Sequence, residues 1–306
     1  MSMRVLLTGG TGYIGGSVLD RLVATGHRVT ALVRNPDKAE GVRAKGAEVV
    51  ITDLADADAD ADADAETVHR LVSDSDGVVH LASPGDETSA AVEETAVTTM
   101  LRALGNTGKP FVHTTGVWVH GSGSAITEST PMIPLELAAW RVPMAGRVRN
   151  APGVRSSVVA PAVVHGHGGG LLNLVAAGPR SAGDAAALTM VGPGDQHWST
   201  VHVDDLAELY VLALEQAPAG SYFLGASGVN PTVREITEAV SRSLGLSGRV
   251  QPEPVVQTLD RLGPLGAALL LDQQASGDTA RRVLGWAPSR PTILEDIAAM
   301  SAGPAL

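Results

Sequence analysis

Along the first half of the chain, short apolar runs alternate with longer stretches whose apolar positions recur every three or four residues. Val5-Leu6-Leu7 is the first run, followed by helical spacing from Ile14 to Leu22. Arg28 to Val33, Ala47 to Ile51, Gly77 to Ala82, Pro110 to Thr115 and Val154 to Ala160 read as further strands. Helical patterns lie between them, notably Pro36 to Lys45 and Thr88 to Leu104. Near-continuous apolar strands separated by helices predict a parallel sheet covered on both faces. Right-handed crossovers then make it a doubly wound α/β fold, with ligands at the carboxyl ends of the strands.

After Pro161 the alternation stops. His165-Gly166-His167-Gly168-Gly169-Gly170 reads as a flexible crossing, and Ser181 to Gly194 is rich in Gly, Ala and Pro. Thr200 to Val203 reads as a short strand, with Asp204 or Asp205 expected to cap a helix over Leu206 to Glu215. Ser221 to Leu224 is a further strand. Beyond Pro231 come a helix over Val233 to Leu244, an extended segment near Val250 and more helices. The strict Ala-Asp alternation of Ala55 to Ala65 suits a solvated loop or a frayed helix start. It lacks the glycine turn and closing glutamate of a calcium loop, so no metal is expected there.

Thr8-Gly9-Gly10-Thr11-Gly12-Tyr13-Ile14-Gly15 joins the first strand to the first helix. Gly9 permits the tight turn, Gly12 lets a pyrophosphate approach the backbone, and Gly15 lets the helix pack closely on the strand. Free amides at the helix start would face the phosphates. The expected division is a dinucleotide-binding Rossmann domain (residues 1–165 and 196–226) and a small C-terminal substrate lobe (166–195 and 227–306).

Composition narrows the partners. A net charge of −11 disfavours nucleic acid, which is bound by neutralising phosphates with Lys and Arg. No apolar run is long enough for a membrane span, and no secretory signal precedes the first strand, so a cytoplasmic protein is expected. The absence of cysteine excludes disulfides, thiolate metal sites and cysteine nucleophiles.

Several motifs occur in register: TGGTGYIGG, Asp53-Leu54 after the third strand, His80-Leu81-Ala82-Ser83 after the fourth, Val201-His202-Val203-Asp204-Asp205-Leu206-Ala207, and Leu284-Gly285-Trp286-Ala287-Pro288 near the end. Together they resemble the extended short-chain dehydrogenase/reductase superfamily, which includes nucleotide-sugar epimerases, dehydratases and dihydroflavonol-type reductases. The resemblance implies that Gly9, Thr11, Gly12, Tyr13, Ile14 and Gly15 hold the pyrophosphate. It implies that Asp53 and Leu54 meet the adenine, and that Leu81, Ala82, Ser83, Thr114, Pro161 and Val163 line the ribose and nicotinamide side. Arg34 ends the second strand where NAD-preferring proteins of this fold carry an acid. An arginine there suits a 2′-phosphate, so NADP is expected over NAD.

The superfamily's catalytic tyrosine, with a lysine four positions later, is missing. No tyrosine of this chain has a lysine at that spacing, and Lys38, Lys45 and Lys109 all precede the relevant helix. Trp140 and Met144 stand in those places, and Pro143 is expected to distort the helix start. Trp140 can donate a hydrogen bond but is no acid near neutral pH. Arg141 keeps its proton, so it can polarise an oxygen or pair with a carboxylate. His113-Thr114-Thr115-Gly116-Val117-Trp118-Val119-His120-Gly121 resembles the superfamily's STxxVYG-like stretch, with Thr115 (or Thr114) to bond a substrate carbonyl and His120 as a substitute acid.

These residues predict an NADP-dependent oxidoreductase acting on a carbonyl or hydroxyl of a small, rather apolar substrate, since the stretches from Gly166 to Gly194 and from Arg249 to Leu271 carry few charges. The alternatives are a cofactor-retaining epimerase or dehydratase, and a catalytically idle NAD(P)-binding sensor. No metal is expected; a His165/His167/His202 site has unspecific spacing. Family analogy also allows a homodimer through the helices of Thr88 to Leu104 and Pro134 to Arg149.

Overall fold

The computed structural model describes residues 2–54, 62–183 and 186–302. Residues 55–61, which hold most of the Ala-Asp alternation and its expected solvated loop or frayed helix start, lie outside the described residues.

The chain begins with β1 (Arg4–Thr8), α1 (Tyr13–Ala24), β2 (Arg28–Val33), a short 3₁₀ turn and α2 (Ala39–Ala44). Next come β3 (Glu48–Ile51), α3 (Asp62–Asp74), β4 (Gly77–His80), α4 (Ser89–Leu104), β5 (Pro110–Thr114) and β6 (Gly123–Ile126). They are followed by α5 (Glu136–Ala139), α6 (Arg141–Arg149), β7 (Arg155–Pro161), β8 (Val163–His165), α7 (Leu172–Ala176) and β9 (Leu188–Thr189). The last third holds β10 (Thr200–His202), α8 (Val203–Gln216), β11 (Ser221–Gly225), α9 (Val233–Ser243), β12 (Val250–Gln251), α10 (Val255–Leu269), β13 (Gln273–Ala275), α11 (Asp278–Leu284) and α12 (Ile293–Ala302).

Seven strands form one parallel sheet in the order β11-β7-β5-β4-β1-β2-β3. Chain order reverses between β1 and β4, and the crevice at such a switch point is where doubly wound folds bind ligands. Every residue of β4 is buried, so both faces of the sheet are covered. Val5, Leu7, Val79, Val112 and Val158 belong to this core. Helix α1 packs along α8, while α4 packs against α3 and α6.

A second apolar cluster joins Leu172, Val175, Leu188, Val191, Trp198, Ile236, Leu269 and Ile297. It holds together elements that follow the regular alternation. Two short pairings there, β8 with β10 and β9 with β12, escape the sequence pattern, as does β6 with β13. The strand at Thr200 and the extended segment near Val250 are legible, but segments so short carry no pattern that names their partners. No helix among the described residues is long and apolar enough to cross a membrane.

The start of α8 corrects an expectation. The helix begins at Val203 and its cap is His202, whose Nδ1 accepts from the Asp204 amide at 3.1 Å. Asp205 is instead turned to the C-terminal segment, where its carboxylate accepts from the amides of Ser289 and Arg290 at 3.1 and 3.0 Å. Trp286, almost wholly buried, donates its indole N–H to the Asp205 carbonyl at 2.8 Å. Two distant motifs are thus one clasp. Pro143 sits in the first turn of α6; lacking an N–H and crowding the Ala139 carbonyl, it separates α5 from α6.

Candidate functional site

At the carboxyl end of β1 the chain turns through Gly9, whose φ of +76° is a left-handed value that glycine adopts without strain. A Cβ on Gly9 would also collide with the backbone of Leu81 and Ala82, and one on Gly15 with the Gly9 carbonyl. Gly12 precedes α1 without any side-chain cap, and no acidic residue occupies the helix's first turn. The first amides of α1 are therefore left to an external acceptor, with the positive end of the helix behind them. This backbone cradle fits a pyrophosphate.

A groove runs from the cradle across the switch point. Gly9, Thr11 and Gly12 line it with Arg34, Asp53, Leu54, Leu81, Ala82 and Ser83. Ile14 packs toward the core, and Gly15 lies beneath the turn; neither faces the groove. Thr114 lies below as well, donating to the His80 carbonyl at 2.8 Å and accepting from the Tyr210 hydroxyl at 2.9 Å.

Beside the groove opens a cavity of about 1090 Å³. Tyr13 and Gly85 line it, while their chain neighbours Gly12 and Pro84 line the groove, so the two are adjoining compartments. Thr115, Trp140, Arg141, Pro161 and Val163 also face it. Walls that the sequence did not single out come from Trp118, Leu137, Leu171, Leu262 and Leu265, residues far apart in the chain.

Inside the cavity the chemistry is sparse. The Thr115 hydroxyl is buried and has no hydrogen-bond partner among the described residues, although the Thr115 amide is held by the Val159 carbonyl at 2.9 Å. The Arg141 guanidinium stacks 4.2 Å from the centre of the Trp140 ring. Burial lowers its pKa, opposed by the charge of Glu93 and by Tyr210, but an arginine remains protonated. Met144, one turn after Trp140, is buried among apolar residues and offers no charge. Tyr13 spends its hydroxyl on the Gly166 carbonyl at 2.8 Å, and burial raises its pKa.

His120 is not brought to the cavity. Its Nδ1–H donates to the Thr130 carbonyl at 3.1 Å, and its Nε2 accepts from the Tyr222 hydroxyl at 3.0 Å. Both nitrogens are committed, and burial lowers its pKa. The imidazole braces the loop after β5 against β11. Of the other histidines, His165 bonds Asp296 and His167 bonds Asp204; among the described residues no cluster is arranged to hold a metal.

A network beneath the site went unseen in the sequence. Glu93 on α4 is buried, with His113 Nε2 at 2.7 Å and His80 Nε2 at 3.3 Å from its Oε1. His80 in turn bonds the Thr8 hydroxyl at 2.6 Å. Burial alone would raise the Glu93 carboxyl, but the two imidazoles hold it below the usual range. The available signal was a glutamate on the apolar stripe of its helix, between Ala90 and Val97.

A family model for the NAD dependent epimerase/dehydratase family matches residues 5–225. The chain belongs to that family. An uncharacterised protein of Schizosaccharomyces pombe is 28% identical to this family member over 320 residues, covering 97% of this chain and 98% of that one. Among solved structures, a double mutant of dTDP-glucose 4,6-dehydratase from Streptomyces venezuelae with NAD bound aligns with a TM-score of 0.76 at 22% identity, over 98% and 96% of the two chains. The UDP-glucose 4-epimerase of Thermus thermophilus in complex with NAD aligns at 0.71 and 22%, over 99% and 100%.

These comparisons correct two expectations. Five of the solved relatives are described with NAD and none of these with NADP, which overturns the NADP expectation drawn from Arg34. Several solved relatives are named as epimerases or a dehydratase of nucleotide-linked sugars, which overturns the oxidoreductase of a small apolar substrate. Much of the apolar character of the late segments that suggested such a substrate belongs to the second core, through Leu172, Val175, Leu188 and Leu269. What holds is an NAD(P)-binding enzyme family on a Rossmann sheet.

Proposed function

We propose that this family member is a cofactor-retaining enzyme of the epimerase or dehydratase type, binding NAD in the groove and a nucleotide-linked sugar in the adjoining cavity. The observation that carries the reading is the direct adjacency of the two compartments at the switch point, with the Thr115 hydroxyl buried and unpartnered in the cavity wall. NAD and nucleotide sugars accompany the solved relatives.

The pyrophosphate falls to Gly9, Thr11, Gly12 and the first amides of α1. Arg34, Asp53 and Leu54 take the adenosine end; Leu81, Ala82 and Ser83 take the other. When bound, the nicotinamide supplies reversible hydride acceptance, so no net redox change is required. Thr115 donates to a substrate oxygen, and Arg141 stabilises negative charge near it. Besides Arg141 and Tyr13, the ionisable side chains of the lining are Asp86, Glu87 and Glu136, all exposed. Residues 166–195 and 227–306 serve as the substrate lobe.

The test begins with calorimetric titration of NAD and NADP, with NAD expected to bind more tightly. The NAD-loaded protein is then incubated with UDP-glucose, UDP-glucuronic acid and dTDP-glucose, and the products are resolved by chromatography and NMR. A C4 epimer or a 4-keto-6-deoxy product without accumulating NADH supports the reading; absence of NAD binding, or net NADH formation, overturns it. The substitution of Trp140 and Met144 for the tyrosine and lysine favours one second reading, a nucleotide sensor. NAD binding without any turnover selects it.

A further inference from the structure

We infer that Arg141 and Thr115 form a carboxylate-binding subsite, so that the substrate presents a carboxylate close to its reacting carbon. The inference rests on the proposed use of this cavity as the substrate compartment and deepens it.

Four observations carry it. First, Arg141 faces an otherwise largely apolar cavity, and among the described residues it has neither an ion pair nor a hydrogen bond to a protein acceptor. The protein's other buried or half-buried arginines are engaged. Arg155 donates to the carbonyls of Leu214 and Ala217, and Arg261 grips Glu253. A cation left with free donors in such surroundings is poised for an anion supplied from outside.

Second, the guanidinium lies over the Trp140 ring, 4.2 Å from its centre, and a planar fork of donors matches the two oxygens of a carboxylate better than a single carbonyl oxygen. Third, its counter-charge is close enough to act and too far to block. Glu93 influences Arg141 electrostatically, but no ion pair joins them, and its Oε1 is hydrogen-bonded to His113 Nε2 with His80 Nε2 3.3 Å away. Fourth, the Thr115 hydroxyl supplies a neutral donor in the same cavity, buried and without a partner.

An arginine in this position cannot replace the absent tyrosine as an acid, since it does not release its proton at physiological pH. Its contribution is to hold charge. The acidic residues at the mouth do not oppose this, because Asp86, Glu87 and Glu136 are exposed and none contacts Arg141. The ligand class is therefore an acidic sugar or another hydroxy-carboxylate, seated with its carboxylate inward.

The test uses NAD-loaded full-length protein and two small probes, benzoate and benzyl alcohol, which share a ring and differ in charge. Calorimetry is expected to give benzoate at least a tenfold lower dissociation constant. Arg141→Gln should abolish that preference, Arg141→Lys should retain part of it through charge without the fork, and Thr115→Val should weaken it several-fold. Equal affinities in the wild type, including no binding of either probe, overturn the inference. So does a preference that survives Arg141→Gln. NAD affinity is measured on the same samples. If the wild type fails to bind NAD, the reading of the groove falls; if only Arg141→Gln loses NAD, the guanidinium belongs to the nicotinamide pocket and the carboxylate assignment falls.

Discussion

At Gly15 there is no space for even a methyl group, because a Cβ would occupy the position of the Gly9 carbonyl. Gly15→Ala must push the turn away from α1 and misplace the amides meant for the pyrophosphate. NAD affinity is expected to fall by at least about tenfold, about 1.4 kcal/mol, in a calorimetric titration. Gly41 provides the matched control. It lies exposed on α2, with open space where a Cβ would project and no positive φ. Gly41→Ala should leave NAD binding unchanged and raise stability by up to about 1 kcal/mol in urea denaturation. The role of Gly15 was legible in the sequence because it follows from spacing within one strand-turn-helix unit. The role of Arg141 was only half legible: its permanent charge is a property of the residue, whereas its lack of a protein partner is a property of the cavity.

Among the elements, the clasp between α8 and the segment after α11 joins the Val203-Asp204-Asp205-Leu206 and Leu284-Gly285-Trp286-Ala287-Pro288 motifs. Gly285 ends α11 in the left-handed conformation, at a φ of +67°, and so turns Trp286 back toward α8. Trp286→Phe keeps most of the apolar bulk but strips the Asp205 carbonyl of its donor. Destabilisation by about 1–3 kcal/mol is expected from chemical denaturation. Asp205→Ala leaves the Ser289 and Arg290 amides without an acceptor and should cost at least as much, with the NAD affinity of the folded protein unchanged. A variant that lost NAD binding while keeping full stability would contradict this structural role. Both motifs stood out in the sequence. Their meeting did not, since their separation along the chain says nothing of distance in space, and Asp205 looked like a helix cap until His202 was found in that position.

The molecule as a whole carries several histidines that prefer to stay neutral. Burial lowers the pKa of His113, His120, His165 and His202, and the paired imidazoles hold Glu93 below the usual carboxylate range. In the unfolded chain these groups regain ordinary values of about 6.5 for histidine and about 4.3 for glutamate. Below the histidine value the unfolded state binds protons that the folded state refuses, so stability rises with pH and is complete above about 7. Calorimetric Tm should therefore decline as pH falls from 7 to 5, and decline again below about 4.5 as Glu93 becomes a liability. Glu93→Gln should remove much of the second decline; a Tm that is flat from pH 7 to 4 would contradict the assignment. By itself the sequence determined the parallel sheet and the glycine turn after its first strand, because each depends on periodicity and spacing between near neighbours. Only the tertiary structure decided the cavity beside the groove, the Glu93 network, the placing of His120 against Tyr222 and the setting of Arg141. Each of those is a meeting of side chains from distant strands and helices, and the pattern of any one segment holds no information about what the others bring to it.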